Sequence, residues 1–466
     1  MINAGRAMLG ALVVFSLLAC NAQPGRAATE STAFSTDVPD ISEPMLEVNF
    51  WLERLQADGQ VMSEAEVAQF NAALFANNPH MHSILRWPDK LTAQQVSNLI
   101  NSVSRAASSP RYFADGTPVS AEVYARWQAA ANSQGLSGEV PVRWGMVVAR
   151  AHMRSFPTDE KIFKQPNDLD LDRLQETGVF PGQPLALLHE SADGNWWFAV
   201  NYHYAAWLPK WAVATASKAQ LKDFEAAHPR LLVTGAQVHT NFNPVDARSS
   251  QVALDMGVSL PLLSAAQVNH NVHGQNPFAS YVVQLPVRTA DGQLSLTPTL
   301  IARSRDVHVG HLPFTRANVL RQAFKFLGER YGWGHDYNGR DCTGFVGEVY
   351  KSFGLLMPRN SGQQGESEFA EKWDLATASR AEKLDALARM QVGDLIYIPG
   401  HVMMYIGSVN NAPYVIHDVT GMSYFDGRGD LYQGRLSGVS VTPLLPLRLS
   451  AERDFIDSIY AIKAIR

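Results

Sequence analysis

Residues 338–353 read Asn-Gly-Arg-Asp-Cys-Thr-Gly-Phe-Val-Gly-Glu-Val-Tyr-Lys-Ser-Phe, a turn-forming segment followed by apolar residues on helical spacing. Phe345, Val349 and Phe353 repeat at intervals that predict a helix buried along one face. Cys342 then lies at the helix N-terminus, where unpaired N–H groups and the helix dipole favour a thiolate and can hold an oxyanion. We therefore expect Cys342 to be a nucleophile, although a buried, unreactive thiol is an alternative that these residues leave open.

Two histidines are candidates for the base that such a nucleophile requires. This base must also protonate the leaving amine, and the pKa of histidine suits both steps. His401 begins the apolar run His-Val-Met-Met-Tyr-Ile-Gly, which follows a strand-like segment that starts at Gly393. His417 lies on the next apolar run and could orient the imidazole of His401. Taken singly, a histidine in such a position more often has a structural role.

Several motifs in order give the C-terminal third a family resemblance. They are Tyr331-Gly332-Trp333-Gly334, Asp341-Cys342-Thr343-Gly344-Phe345, Leu356-Met357-Pro358-Arg359-Asn360-Ser361-Gly362-Gln363, the Gly393-Asp394 strand with His401, and His417. This series resembles the NlpC-type family of papain-like cell-wall peptidases. The resemblance implies an α+β catalytic domain, Cys342, His401 and His417 as catalytic residues, and no metal or organic cofactor. Thr343 stands where the family more often has serine, and His335 and Asp336 occupy positions where a second glycine is common, which leaves the shape of that loop open.

The rest of the chain divides into regions of different pattern, which together predict a multidomain α+β protein. Residues 41–135 carry helical periodicity and two capping-box patterns, and predict a helical N-terminal domain. Residues 140–215 and 228–308 carry short strands around Asp-Gly turns, and predict two small antiparallel β-barrels. The first, with Arg154-Ser155-Phe156-Pro157-Thr158 and Tyr204-Ala205-Ala206-Trp207, resembles a bacterial SH3-like domain, and the second is assigned as SH3-like by its position and strand spacing. Residues 312–466 mix helices and strands and form the predicted catalytic domain.

This domain order resembles γ-D-glutamyl-L-diamino acid endopeptidases of murein turnover. The resemblance implies hydrolysis of stem peptides with a free N-terminal L-alanine, through a Cys342 thioester. Asp341 is the expected partner of the alanine ammonium group, with Glu176 and Tyr204 as further candidates from the first SH3-like region. Thr343 and Ser361 are candidates for binding D-glutamate. Asp341 is also compatible with a simple helix N-cap, and Glu176 and Tyr204 with surface or packing roles.

The first forty residues predict export. Arg6 precedes an apolar run, 7–18, that is too short to span a bilayer, and the run ends at Leu-Leu-Ala-Cys20. This pattern resembles a bacterial lipobox, so residues 1–20 are predicted to be a lipoprotein signal with Cys20 as the lipidated residue, and 21–40 a flexible tether. A plain secretory signal is the alternative. Anchoring in the cell envelope, on the periplasmic face of an outer membrane, is the expected location.

Composition narrows the possible partners. A formal net charge of -5 over 466 residues provides no basic surface of the kind that nucleic-acid binding requires. His80 with His82 and His308 with His311 lack the acidic or cysteine neighbours that would complete a zinc site, so no metal is expected. Two readings compete with the peptidase: a non-catalytic murein-binding lipoprotein, and a thioester-based acyltransferase.

Overall fold

The computed structural model describes residues 34–55 and 58–466. Residues 36–466 form one compact unit. In the described part of the chain, no helix is both long and apolar enough to cross a membrane. The predicted signal sequence, with Cys20, and most of the predicted tether lie outside the described residues.

Ten α-helices and 24 β-strands are found among the described residues. The helices are α1 Val48–Leu52, α2 Glu64–Asn77, α3 Ala93–Val103, α4 Ala121–Ala130, α5 Lys218–Ala226, α6 Arg316–Phe324, α7 Cys342–Lys351, α8 Ser361–Glu366, α9 Arg380–Ala388 and α10 Phe455–Ser458. The strands are β1 Gln60–Met62, β2 Lys90–Thr92, β3 Glu139–Pro141, β4 Arg143–Val147, β5 Ala151–Arg154, β6 Gln175–Val179, β7 Pro184–Glu190, β8 Trp196–Val200, β9 Ala205–Pro209, β10 Val213–Ala216, β11 Arg230–Val233, β12 Gln237–His239, β13 Ala253–Asp255, β14 Ser259–Pro261, β15 Ser280–Arg288, β16 Leu294–Ala302, β17 Val307–Val309, β18 Phe314–Thr315, β19 Glu371–Asp374, β20 Leu395–Ile398, β21 His401–Val409, β22 Ala412–Phe425, β23 Leu431–Pro443 and β24 Ala461–Ala464.

The N-terminal helices do not share a core of their own. Ser63 and Thr92 form the predicted capping boxes at the starts of α2 and α3. Trp51 on α1 packs into the same core as α7, whereas Val96 on α3 packs among the strands of residues 143–216. Trp127 on α4 packs in a third cluster, so these helices cover different parts of the molecule with their apolar faces.

Both regions predicted to be barrels contain open sheets instead. β4 to β10 form one seven-stranded sheet in the order β10-β4-β7-β8-β9-β5-β6. β11 to β17 form a three-stranded sheet, β14-β11-β17, and two hairpins, β12-β13 and β15-β16. The predicted hairpins β7-β8 and β15-β16 are confirmed, but barrel closure is not found, since it depends on pairing between distant edge strands that local turn signals do not specify.

The C-terminal region has the predicted mixture of helices and strands. Its six-stranded sheet runs β19-β24-β20-β21-β22-β23, and α7 packs against β21 and β22. Phe345, Val349 and Phe353 are buried in this core, as their spacing predicted. Burial of a phenylalanine side chain contributes about 1.5–3 kcal/mol, so α7 is held firmly beside the strand that begins at His401.

The sheet of residues 143–216 forms a wall beside this region. Gln175 on β6 donates from Nε2 to the carbonyl of Gly334 at 2.8 Å, and its own carbonyl accepts from Trp333 Nε1 at 3.0 Å. Gly334 has φ +58°, and a Cβ there would lie 2.7 Å from Gln175 Cγ, so the two segments approach as closely as they do because residue 334 is glycine.

Candidate active site

Cys342 is the first residue of α7 and is 7% exposed. The backbone N–H of Val402, the residue after His401, points at its sulfur. Burial, and then the Asp341 carboxylate, raise the pKa of Cys342 to about 12, an increase that the Val402 N–H only partly offsets. Desolvation and the adjacent negative charge therefore oppose the thiolate that the helix N-terminus favours, and the resting side chain is a thiol.

His401, His417 and Thr442 form a hydrogen-bonded chain across three neighbouring strands. His401 Nε2 lies 2.9 Å from His417 Nδ1, and His417 Nε2 lies 3.1 Å from Thr442 Oγ1. Burial lowers the pKa of His401 to about 4, so its ring is neutral at pH 7. Burial, and then the neighbouring His401, also lower the pKa of His417 well below its usual value. Since Nε2 of His401 faces His417, Nδ1 is the nitrogen left for another partner.

Asp341 is the N-cap of α7 and is paired on both carboxylate oxygens. Oδ1 accepts from the N–H of Gly344 at 2.8 Å, and Oδ2 accepts from Gly334 at 3.1 Å. Arg359 donates to Oδ1 at 3.2 Å and to Oδ2 at 2.6 Å. Burial by itself would raise the pKa of Asp341, but Arg359, His335 and the N–H of Gly344 together outweigh it, and the pKa is about 2. The N-cap interpretation describes the protein, and a substrate ammonium group would have to share this carboxylate.

Glu176 and Tyr204 meet at the edge of the neighbouring sheet. The Tyr204 hydroxyl donates to Glu176 Oε2. Burial raises the pKa of Glu176 to about 7, although Tyr204 and Arg359 oppose the rise. Because Arg359 also pairs with Asp341, these four side chains form one cluster that joins the two regions. A carboxylate that is only half ionised at neutral pH gains from an incoming cation.

The comparisons with known proteins identify both regions. A family model described as NlpC/P60 family matches residues 328–439. These residues belong to the NlpC/P60 family. A second model, described as SH3 domain (SH3b1 type), matches residues 161–209. The chain therefore joins an NlpC/P60 peptidase domain to a bacterial SH3 domain.

Individual proteins resemble parts of this chain of different length. A gamma-D-glutamyl-L-lysine dipeptidyl-peptidase of Bacillus cereus is 27% identical in an alignment of 278 residues that covers 55% of this chain and 71% of that protein. Dipeptidyl-peptidase 6 of Lysinibacillus sphaericus is 30% identical over 93 residues, 20% of this chain and 30% of that protein. A solved NlpC/P60 endopeptidase from Photobacterium damselae subsp. piscicida aligns with TM-score 0.71 at 15% identity, over 89% of this chain and 96% of that chain. This last likeness is one of fold.

Two further candidates in the NlpC/P60 domain are already engaged or lie elsewhere. Thr343 Oγ1 donates to Asp341 at 3.0 Å and accepts from Arg359 at 2.5 Å, so its hydroxyl is fully used inside the cluster. Ser361 begins α8, and its carbonyl accepts from the Tyr460 hydroxyl at 3.4 Å. The role of Thr343 and Ser361 in binding D-glutamate stays a prediction.

The loop before α7 has His335 where the family pattern has glycine, and two glycines elsewhere make room for this side chain. His335 has φ 70°, the left-handed conformation that glycine adopts most easily. Its Nδ1 accepts from the N–H of Gly178 at 3.2 Å, and its Nε2 lies 3.1 Å from Glu348. A Cβ on Gly178 or Gly344 would come within 2.9 or 2.7 Å of the ring. The imidazole thus fills space that these glycines leave free, and its contacts hold the strained backbone.

The NlpC/P60 domain and the SH3 domain together line a surface cleft that includes His401. The lining residues from the two domains include Tyr331, Trp333, Arg173 and Arg448. Burial, and then Cys342 and Asp341, raise the pKa of Tyr331 well above its usual value, so its hydroxyl is a hydrogen-bond donor near the sulfur. In the part of the chain that the structure describes, no cluster of histidine, cysteine and carboxylate side chains has the arrangement of a metal site.

Sequence reasoning missed Arg359, Thr442 and Arg173 as site residues. Arg359 lies in the quoted Leu-Met-Pro-Arg motif, and that match was the available signal. The sequence gives no such signal for Thr442 or Arg173. Thr442 reaches the site through the pairing of β22 with β23, and Arg173 through the approach of the SH3 domain.

Proposed function

We propose that this protein is a cysteine peptidase that cleaves the bond between γ-D-glutamate and the diamino acid in peptidoglycan stem peptides with a free N-terminal L-alanine. The observation that carries the proposal is the position of Cys342 at the start of α7, beside the strand on which His401 is hydrogen-bonded to His417. The name of the 27% identical Bacillus cereus relative, a gamma-D-glutamyl-L-lysine dipeptidyl-peptidase, supports the bond assignment.

The protonation states define how the reaction would begin. A thiol with pKa about 12 beside an imidazole with pKa about 4 is a neutral pair. The reaction would therefore not start from a preformed ion pair. Instead, His401 Nδ1 would take the thiol proton as Cys342 attacks the γ-carbonyl. The hydrogen bonds among the described residues include none between the sulfur and His401, as is common before substrate binds.

The hydrogen-bonded chain supports the next steps. When His401 Nδ1 accepts a proton, its Nε2–H must donate to His417 Nδ1, which leaves the proton of His417 on Nε2, facing Thr442. The backbone N–H of Cys342 helps to hold the oxyanion. The C–N bond then breaks as His401 returns its proton to the leaving amine. Water, activated by the same imidazole, hydrolyses the thioester and releases L-Ala-D-Glu.

The Glu176–Tyr204 pair supports the requirement for a free amine. An ammonium group that loses its water needs acceptors, and a partly buried carboxyl with a pKa of about 7 becomes more fully ionised beside it. Asp341 contributes negative charge to the same cluster, although its oxygens are already paired. Glu176 is thus the principal acceptor in this proposal, and Asp341 the supporting one.

The test is mass spectrometry of L-Ala-γ-D-Glu-diaminopimelate after incubation with the purified, reduced full chain and with Cys342→Ala. Release of L-Ala-D-Glu by the parent alone supports the bond and the nucleophile. If the folded parent cleaves neither this peptide nor a longer stem peptide, the peptidase proposal fails and a murein-binding role takes its place. A new amide in the presence of an added amine, without free acid, would instead identify an acyltransferase.

The location of the protein is a separate part of the proposal. We propose that Cys20, which lies outside the described residues, carries lipid and anchors the chain to a membrane of the cell envelope, at the periplasmic face of an outer membrane. Cys20→Ala should then appear in the soluble fraction after cell lysis. Cys342→Ala is the matched control, since it removes the other cysteine and should stay with the membranes. A Cys20→Ala protein that is still extracted only by detergent would contradict lipid anchoring at this residue.

A further inference from the structure

The cleft that contains His401 has a positively charged side chain without an anionic partner. Arg173 precedes β6 and stacks on the Trp333 ring, with its guanidinium carbon 4.7 Å from the ring centre. Its Nε is buried without a hydrogen-bond partner. Within the described residues, the Arg173 guanidinium forms no ion pair. Burial, and then Arg111, lower the pKa of Arg173, whereas Asp168 opposes the change from beyond ion-pair distance. A partly desolvated cation with open donors gains from an incoming anion.

A second arginine lines the same cleft from the NlpC/P60 side. Arg448 donates to the carbonyls of Ser450 at 3.1 Å and Ala451 at 2.8 Å, and stacks on Phe425 at 4.4 Å. These contacts hold the guanidinium in place and contain no carboxylate. Both arginines lie in the cleft that His401 lines, and Glu176 and Tyr204 do not line it.

The position of His401 determines which part of the substrate enters this cleft. In the proposed reaction His401 protonates the leaving amine, so the diamino acid departs from the His401 side. The alanine ammonium group lies at the opposite end of the peptide, which suits the Glu176–Tyr204 pair. The diamino acid side chain therefore extends along the cleft that Arg173 and Arg448 line. Diaminopimelate has a carboxylate at the end of that side chain, and lysine has only an ammonium group.

We infer that Arg173, assisted by Arg448, binds the side-chain carboxylate of the diamino acid and makes the enzyme select diaminopimelate over lysine. The inference rests on the proposed function and adds the identity of the diamino acid. An ammonium group alone, as in lysine, would meet two unpaired cations in this cleft, which disfavours it. The selection would differ from the lysine in the name of the Bacillus cereus relative.

The experiment compares kcat/KM for L-Ala-γ-D-Glu-meso-diaminopimelate and L-Ala-γ-D-Glu-L-Lys in the full chain and its variants. The parent should prefer the diaminopimelate peptide, and Arg173→Gln should reduce that preference at least about 10-fold, because a charge-assisted hydrogen bond is lost. Arg173→Lys should retain part of it, since the charge remains while the planar fork is lost. Arg448→Gln should reduce it by a smaller factor. Arg389→Gln removes the same charge from a residue that pairs with Asp385 outside the cleft lining, and should leave the preference unchanged.

Cleavage of the lysine peptide separates the possible failures. If Arg173→Gln cleaves it as the parent does, the variant is folded and its chemistry is intact, and any lost preference belongs to the carboxylate. Equal losses on both peptides in Arg173→Gln, Arg173→Lys and Arg448→Gln, or a parent without preference for diaminopimelate, would overturn the inference and leave the peptidase proposal standing. A folded, reduced parent that cleaves neither peptide would overturn both.

Discussion

Glu176 offers a direct test of ammonium recognition through the pH dependence of kcat/KM. With a pKa of about 7, roughly one-tenth of the Glu176 carboxyl is ionised at pH 6 and roughly nine-tenths at pH 8. Because only the carboxylate pairs with an ammonium group, kcat/KM for a free-amine peptide should rise through this range. It should fall again above about pH 8, where the α-amino group of the peptide loses its proton. The profile should therefore be bell-shaped, with a maximum between these values.

Glu176→Gln retains the shape of the side chain and removes its titration. The variant should lose the acid limb near pH 7 and about 10-fold to 100-fold of kcat/KM at pH 7.5, the value of one charge-assisted hydrogen bond. His401 does not interfere, since its pKa of about 4 lies well below the limb. Acetylation of the peptide's alanine should remove most of the parent's activity and little of what remains in the variant.

The matched control is Glu190→Gln on β7, because Glu190 belongs to the same sheet but pairs with Arg143 and Lys210 away from the cleft. This variant should retain the parent's profile, measured as initial rates of dipeptide release at substrate concentrations below KM. An acid limb near pH 7 that persists in Glu176→Gln, or equal cleavage of free and acetylated peptides by the parent, would refute the assignment.

Three further predictions concern the interior of the site. Because the pKa of the Cys342 thiol is raised, iodoacetamide should alkylate it slowly at pH 7 and progressively faster as the pH rises toward 10. Mass spectrometry measures the rate of alkylation. A rapid reaction that does not depend on pH would indicate a resting ion pair instead. Thr442→Val should lower kcat about 10-fold with little change in KM, since His417 loses the oxygen that its Nε2–H faces. Thr442→Ser keeps that oxygen and should retain activity. Equal losses of kcat in both variants would point to packing. Arg359→Met should reduce the free energy of unfolding by about 3–5 kcal/mol in urea titrations at pH 7, because the buried Asp341 carboxylate is left unpaired, and adding Asp341→Asn should recover part of the loss.

Sequence reasoning succeeded where the signal was local. The capping boxes at Ser63 and Thr92, the hairpins around the Asp-Gly turns, and the buried helix that starts at Cys342 all depend on residues within one or two turns of each other, and all three were found. The order of motifs also identified the NlpC/P60 domain and the preceding SH3 domain. Residue spacing and short motifs depend only on neighbouring residues, and the elements that they predict are present in the folded protein.

The structure corrected expectations that depend on distant parts of the chain. Barrel closure is not found because it requires pairing between edge strands. The N-terminal helices are divided among three clusters because their apolar faces pack against different parts of the chain. The pKa of Cys342 likewise depends on the folded chain. A helix N-terminus is visible in the sequence, but the burial of the sulfur and the charge of Asp341 beside it are set by the folded chain.

The sequence by itself determined which residue types are available for catalysis. They are a cysteine at the start of a helix, Cys342, a histidine at the start of a strand, His401, and a second histidine on the next strand, His417. Only the tertiary structure decided their surroundings. It brought Arg359 onto Asp341 and Thr442 behind His417. From the SH3 domain it brought Glu176 beside Arg359 and Arg173 into the lining of the cleft. Electrostatic and hydrogen-bond energies depend on distance and on exclusion of water, and both are properties of the packed molecule rather than of residue order.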